Sequence, residues 1–185
     1  MSQLKAPSPS YILLDRQQYR TCHVKVPDLE QRLSAIQLGD QFYSFFQVAP
    51  EARKAIALLT KLVYRNESTV LTKMPRGYGV WVEEPDAMRV GTPSSTVVRK
   101  PASCLVLVNQ YPHRRCRIQV PDLPQSVDAI AVDQNFYSIF KAELPAEQAL
   151  EIIAKLLQRG DKALLLGDRN GYVIGIHEPE ATLER

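Results

Sequence analysis

Basic side chains cluster on two stretches of the chain, and each stretch has a tyrosine nearby. The six residues are Arg20, His23 and Lys25 in the first stretch and Arg114, Arg115 and Arg117 in the second. Cationic groups pair with phosphates and aromatic rings stack on bases, so this combination is typical of some sheet proteins that hold single-stranded nucleic acid. An acidic protein surface would attract the same residues. The sequence therefore predicts a contact surface for protein or nucleic acid.

The overall charge favours the protein partner over nucleic acid. The chain of 185 residues has a net charge of +3 and a pI of about 8.8. Dedicated nucleic-acid-binding domains commonly have a pI above about 9 with clustered charge. We therefore expect a non-enzymatic protein-interaction module, such as an assembly or regulatory factor. Binding of RNA or single-stranded DNA through the basic strands is the alternative hypothesis, and an enzyme of unknown type is the third.

Trp81 is the only tryptophan in the chain and is a further candidate for partner binding. Aromatic anchors carry much of the binding energy in many protein interfaces, so Trp81 would serve as one if its face of the sheet is exposed. The other interpretation is that Trp81 packs inside the fold, since aromatic side chains also dominate cores.

No residue pattern indicates catalysis, a cofactor or a metal site. Cys22 and His23 are neighbours, but neighbouring side chains on a strand point to opposite faces and do not form a catalytic dyad. The sequence has no Cys-x-x-Cys pair, no phosphate-binding loop and no nucleophile elbow. We therefore expect no enzyme activity, no cofactor, no metal and no small-molecule substrate.

The cysteines and the apolar runs indicate the cellular compartment of the protein. Three cysteines are an odd and sparse set, which argues against a disulfide framework. No apolar run approaches the ~20 residues that span a bilayer, and the first ten residues lack the apolar stretch of a secretory signal. We expect a soluble cytoplasmic protein without a membrane span.

The chain repeats itself after 94 residues. Residues 22–87 align without a gap with residues 116–181, and 23 of these 66 positions are identical. The longest matches are Val-Pro-Asp-Leu at 26–29 and 120–123 and Phe-Tyr-Ser at 42–44 and 136–138. Self-similarity at a fixed period indicates a duplicated structural unit.

The repeat also divides the chain. We predict a loose tail at residues 1–9, a first copy at 10–88 and a second copy at 104–182. Residues 89–103 are rich in Ser, Thr, Pro and basic residues without apolar periodicity, so they are predicted to be a linker.

Each copy shows the patterns of four strands, one helix and two further strands. Alternation of Cys22 and Val24 with His23 and Lys25 is typical of a half-buried strand. Apolar side chains at helical spacing predict the buried faces of two amphipathic helices. These are Ala52, Ala55, Ile56, Leu59, Leu62 and Val63 in the first, and Ala149, Leu150, Ile153, Leu156 and Leu157 in the second. The predicted unit is α+β with a mainly antiparallel sheet.

A unit of this size has one helix to cover one face of its sheet, which leaves the other face bare. We therefore expect the two copies to pack with pseudo-two-fold symmetry, each covering the bare face of the other. We also expect the repeated Phe-Tyr-Ser-x-Phe motif to lie on the strand that seats the helix in each copy.

Overall fold

The protein has a mixed α+β fold in a computed structural model that describes residues 7–92, 98–107 and 111–184. Two helices, α1 (Ala52–Tyr64) and α2 (Ala146–Arg159), lie against one sheet of fourteen strands. The predicted α+β class is confirmed. Neither helix combines the length and the apolar character that a membrane crossing requires, as far as the described residues go.

The strands fall into a first part, β1 to β7, and a second part, β8 to β14. The first part contains β1 (Ser10–Leu13), β2 (Arg20–Lys25), β3 (Leu33–Leu38), β4 (Gln41–Ala49), β5 (Thr69–Met74), β6 (Gly77–Glu83) and β7 (Met88–Val90). The second contains β8 (Cys104–Leu107), β9 (Arg114–Gln119), β10 (Val127–Val132), β11 (Asn135–Leu144), β12 (Ala163–Asp168), β13 (Gly171–His177) and β14 (Thr182–Leu183). The sequence patterns predict all of these except β7 and β14, which are too short to show alternation.

Strand β7 lies at the boundary between the predicted first copy and linker, and it pairs with β2. Residues 93–97 of the predicted linker and residues 1–6 of the predicted tail lie outside the described residues. The described end of the linker, residues 98–103, leads into β8.

The two parts join at the centre of the sheet. The strand order is β14-β9-β10-β11-β13-β12-β8-β1-β5-β6-β4-β3-β2-β7. Strands β1 and β8 are antiparallel, with Ser10 opposite Cys104. Only the β1–β5 and β8–β12 pairs are parallel, so the sheet is mainly antiparallel, as predicted.

Both helices cover the same face of the sheet and share one apolar core. All residues predicted for the two helix faces are buried. The core also includes Ile12 of β1 and Cys104 of β8, so it crosses the junction between the two parts. Gly160 ends α2 with φ 99°, a left-handed conformation that glycine adopts without a steric penalty.

The opposite face of the sheet is covered within each part. The first part buries Tyr11, Ile36 and Tyr43 together, although β5 and β6 separate β1 from β4 in the sheet order. The Tyr11 and Tyr43 ring centroids are 6.3 Å apart, so the sheet curls until its inner face contacts itself. The prediction that each copy covers the bare face of the other is therefore wrong, because strand twist and coiling close each part on its own.

The side chains of the repeated Phe-Tyr-Ser-x-Phe motif are not part of the core that the helices share, although their strands contribute Ala49 and Leu144 to it. Its tyrosine is buried in the inner core of its own part, on the face away from the helices. Its serine donates a hydrogen bond to the glutamate of the repeated Glu-Pro pair. The Oγ–Oε1 distance is 2.6 Å both for Ser44 with Glu84 and for Ser138 with Glu178. The motif therefore ties β4 or β11 to the turn that follows β6 or β13. The expectation that its strand seats the helix holds for the strand, through Ala49 and Leu144, and not for the side chains of the motif itself.

The repeated Gly-Tyr pair also has a structural cause. Gly77 and Gly171 have φ values of 132° and 140°, and a Cβ at either position would lie 2.3 Å from the Ala49 oxygen or 2.6 Å from the Leu144 oxygen. No side chain fits there, so both copies need glycine where the β5–β6 and β12–β13 hairpins approach the preceding strand.

Loss of the serine hydroxyl should weaken both parts alike. We expect Ser44→Ala and Ser138→Ala each to lower the free energy of unfolding by about 1–3 kcal/mol, because each leaves a half-buried carboxylate without its donor. Urea denaturation of the full chain measures this. Ser34→Ala, at an exposed position of β3, is the control and should change it by less than about 0.5 kcal/mol. Equal effects in all three variants would contradict the assigned role.

Candidate functional site

The two predicted basic strands lie at opposite ends of the sheet. Strand β2 carries Arg20, His23 and Lys25, and β9 carries the three arginines at 114, 115 and 117. Each is the second strand from its end of the sheet, and all the central strands lie between them. The structure therefore presents two separate basic strands and does not unite them in one surface.

The alternation predicted for these strands is confirmed. On β2, His23 and Lys25 are exposed, whereas Arg20 lies on the same face as Cys22 and is half-buried. On β9, Arg114, Arg115 and Arg117 are all exposed. Arg20 and Arg114 thus project from the face opposite to that of the other basic residues on their own strands.

Carboxylates from distant parts of the sequence neutralise two of the β9 arginines. Arg115 pairs with Asp168 at 2.9 Å, and Arg117 pairs with Glu184 at 2.8 Å and with Asp128 at 3.3 Å. The Arg117 guanidinium also donates to the Ser126 hydroxyl. A nucleic-acid phosphate would have to compete with these carboxylates, so the nucleic-acid hypothesis stays a prediction without a geometric observation in its favour.

Trp81 is part of the inner core of the first part, with an exposed fraction of 5%. Its indole nitrogen donates to the Thr72 hydroxyl at 2.9 Å. Phe45 packs edge-on against it, with ring centroids 5.2 Å apart, and remains 41% exposed. Of the two interpretations of Trp81, the geometry agrees with packing inside the fold, and the aromatic side chain that reaches the surface here is Phe45.

The second half of β4 forms a free edge of the sheet. Strand β3 pairs with β4 only as far as Ser44, and beyond that point Ser34 and Leu33 pair with β2 alone. From Phe45 to Ala49, β4 has the β6 ladder on one side and no ladder partner among the described residues on the other. A bulge at Phe46 marks the place where the strands diverge.

Apolar side chains are exposed along this edge. Phe45, Phe46 and Val48 are 41%, 49% and 37% exposed, and the segment Phe45–Ala49 contains no charged residue. We refer to Phe45–Ala49 as the β4 edge. Exposed strand edges readily add another strand, and most proteins protect them with charged side chains or additional bulges.

The corresponding edge of β11 is protected in those ways. It contains the exposed charged residues Lys141 and Glu143, and it has two register shifts against β13 where β4 has one against β6. Glu143 has φ 56°, which turns the backbone out of the extended conformation. Phe140, the counterpart of Phe46, is equally exposed at 46%. The two edges therefore share an exposed phenylalanine and differ in charge and regularity.

The chain matches no protein-family model, no curated protein and no solved structure.

Residue types and spacing point to the basic strands and Trp81 as candidate contacts, and not to the β4 edge. A signal for it is nevertheless present in the alignment of the two copies. The first copy has Phe-Phe-Gln-Val where the second has Ile-Phe-Lys-Ala, so one charge is lost at a position that both copies expose.

The cysteines and histidines do not assemble into a reactive or metal-binding group in the described part of the chain. Cys104 is fully buried, and burial raises the pKa of its thiol. Burial also raises the pKa of the Cys22 thiol, an effect that Arg89 partly offsets. Both thiols are thus held in the protonated, less nucleophilic form.

The surroundings of His177 lower the pKa of its imidazole. It is half-buried at the end of β13, where its ring packs against Tyr137 with centroids 5.3 Å apart. Burial is the main reason that its pKa is below the ordinary value; Lys162 lowers it further, while Glu178 opposes the shift. The neutral imidazole is therefore favoured in the folded protein.

This shift makes the stability of the fold depend on pH. The unfolded chain binds a proton at His177 near pH 6.5, before the folded protein does, so the stabilising contribution is present above that pH and is lost as pH falls. We expect His177→Gln to reduce the loss of unfolding free energy between about pH 7.5 and pH 5.5 in urea titrations. His23→Gln, at an exposed position on β2, is the control and should leave the pH dependence closer to that of the original chain.

The nucleic-acid hypothesis has a direct test on β9. Because carboxylates already hold Arg115 and Arg117, we expect weak retention of a single-stranded oligonucleotide of about 16 residues, with no change in Arg115→Ala/Arg117→Ala. Filter binding across a salt series measures this. Tight retention at low salt that falls steeply with added salt, and that the double variant abolishes, would instead establish β9 as a nucleic-acid surface.

Proposed function

We propose that the protein is a non-enzymatic protein-interaction module, acting as an assembly or regulatory factor, whose contact is the β4 edge. The observation that carries the proposal is an exposed apolar strand segment whose outer side has no ladder neighbour among the described residues. Such an edge offers backbone donors and acceptors together with apolar side chains. It contains no nucleophile and no titratable group, which suits binding better than chemistry.

The partner is an extended segment of another protein that pairs with the β4 edge as an additional strand. In this mode of recognition, backbone hydrogen bonds supply affinity and alternate side chains supply specificity. Phe45 and Val48 lie on the face shared with Trp81, as the β4–β6 register places them opposite Trp81 and Gly79. Apolar side chains on the matching face of the partner strand would pack against them.

We further propose that the chain arose by duplication, with a pseudo-two-fold axis between Ser10 and Cys104. These two residues are opposite each other in the β1–β8 pair and are separated by the repeat period of 94. The strand order is the same on both sides of that pair: β5 in the first part corresponds to β12 in the second, and β7 corresponds to β14. The equal serine–glutamate bonds in the two parts support the same origin.

Divergence between the copies then explains why only one edge binds. The second copy has a charged edge with two register shifts, whereas the first has the uncharged residues Gln47 and Ala49 at the positions of Lys141 and Glu143. The proposal places the protein in the cytoplasm, where reducing conditions suit three free cysteines such as those present here.

The two exposed phenylalanines give a matched test. The probe is an immobilised array of peptides of about ten residues that alternate apolar and polar side chains. We expect a subset to bind the full chain, and Phe46→Lys to weaken their binding at least about tenfold because an anchor is lost and a charge is placed on the edge. Phe140→Lys, at an equally exposed position of β11, should leave binding unchanged.

Backbone pairing is tested on the peptide itself. Methylation of alternate backbone nitrogens on one side of a bound peptide removes its ladder donors and should abolish binding, whereas methylation on the other side should not. Equal loss in the Phe46→Lys and Phe140→Lys variants would overturn the proposal. Self-association of the full chain through β4, seen by analytical ultracentrifugation and lost in Phe46→Lys, would reassign the edge to a second copy of the chain.

A further inference from the structure

The second part contains a small pocket beside the junction of the two parts. Its volume is about 220 Å³, and it lies between the start of β11, the start of β12 and the end of β13. Drug-sized ligands occupy roughly 300–1,000 Å³, so this pocket suits a molecule of only a few heavy atoms. Pro7 and Pro9, which precede β1, and Leu105 of β8 supply an apolar wall.

The polar groups of the pocket are mainly hydrogen-bond donors. They belong to Ser103, Asn135, Tyr137, Lys162 and His177. The His177 Nε2 and Asn135 Oδ1 atoms are 3.2 Å apart, so a proton on Nε2 is donated to the amide oxygen and the Asn135 amino group is left to donate elsewhere. Burial raises the pKa of Tyr137, which keeps its hydroxyl protonated.

The charge of the pocket comes from Lys162. In the part of the chain that the structure describes, no aspartate or glutamate lines it. Glu178, which follows His177, is held by the Ser138 hydroxyl at 2.6 Å. A donor-rich pocket with one formal positive charge and an apolar wall is the chemical complement of a small monoanion.

The corresponding region of the first part is filled by the protein itself. Lys100, from the segment before β8, places its Nζ against the Gln41 Oε1 atom and 4.8 Å from the centre of the Tyr11 ring. Gln41 in turn donates to Glu83 at 2.5 Å. A lysine thus occupies the first part, close to a carboxylate.

Two exchanges at positions 94 residues apart change this arrangement. They are Glu83 with His177 and Ser68 with Lys162. The carboxylate is replaced by an imidazole, and a cation is added just before β12. The described residues around the pocket in the second part are therefore more cationic than their counterparts in the first.

We propose that this pocket binds a small organic carboxylate, with Lys162 and the Asn135 amino group on the carboxylate and the proline and leucine wall on the apolar remainder. A carboxylate is favoured over a phosphate ester because the pocket offers one formal charge, whereas phosphate carries nearly two at neutral pH. The pocket lies apart from the β4 edge, so this proposal is independent of the protein-binding proposal.

The test titrates the full ¹⁵N-labelled chain with propionate, with pyruvate and with methyl phosphate at constant ionic strength, using chloride as the reference. We expect saturable chemical-shift changes for the two carboxylates at Asn135, Tyr137 and His177. Lys162→Met should weaken the affinity at least about tenfold, because it removes a charge-assisted hydrogen bond. Lys25→Met, on a distant exposed strand, is the control and should not.

A second variant tests the same site in case Lys162→Met does not fold. His177→Glu restores the residue that the first copy has at this position, and its carboxylate should repel the anion, with at least a tenfold loss of affinity on the same scale. Absence of saturable changes in the original chain would overturn the proposal, as would changes that persist in both variants. Saturation by methyl phosphate at lower concentration than by either carboxylate would overturn the choice of ligand.

Discussion

The apolar core beneath β1 and β8 is the interaction on which the rest of the structure depends. These two central strands share only the register pair Ser10–Cys104, so few backbone hydrogen bonds hold them together. The junction is stabilised mainly by the packing of α1 and α2 against these strands and against each other. One continuous sheet exists because a single hydrophobic core spans the boundary between its parts.

Curvature of the sheet is the second constraint. It explains why the two parts share a core on the helix side of the sheet, whereas each part covers the opposite face by itself. Each sheet half curls until Tyr43 or Tyr137 is enclosed by side chains of its own part. The curl also separates β3 from β4 beyond Ser44, and this separation creates the β4 edge. The inner cores and the free edge are therefore two results of the same geometry.

The sequence predicts local structure well where periodicity and turn chemistry are strong. Both helix faces, the hairpin turns and the alternation on β2 and β9 follow from residue order alone. Curvature does not follow, because it depends on the accumulated twist of many strands, and so the covering of the inner face is predicted wrongly. Strands β7 and β14 carry no periodic signal. Asp168 and Glu184, which pair with Arg115 and Arg117, are more than 50 residues away, and no spacing rule connects them.

The candidate sites are predictable only in part for the same reason. The basic strands are visible as residue types, and their exposure is predicted, but their positions at opposite ends of the sheet require the strand order. The β4 edge depends on where a neighbouring strand stops pairing. The pocket in the second part depends on which side chains meet there, so the exchange of Glu83 for His177 between the copies has a meaning only once the fold is known.

Cys104 sits where the two parts meet, fully enclosed by the core that both helices share. A thiol reagent reaches its sulfur only after this shared core has opened, whereas Cys22 and Cys116 lie on outer strands and are only half-buried. The rate at which Cys104 is alkylated in native buffer, relative to the other two, therefore reports how often the core that joins the two parts opens. Cys104 is thus a built-in kinetic probe for the opening of the shared core.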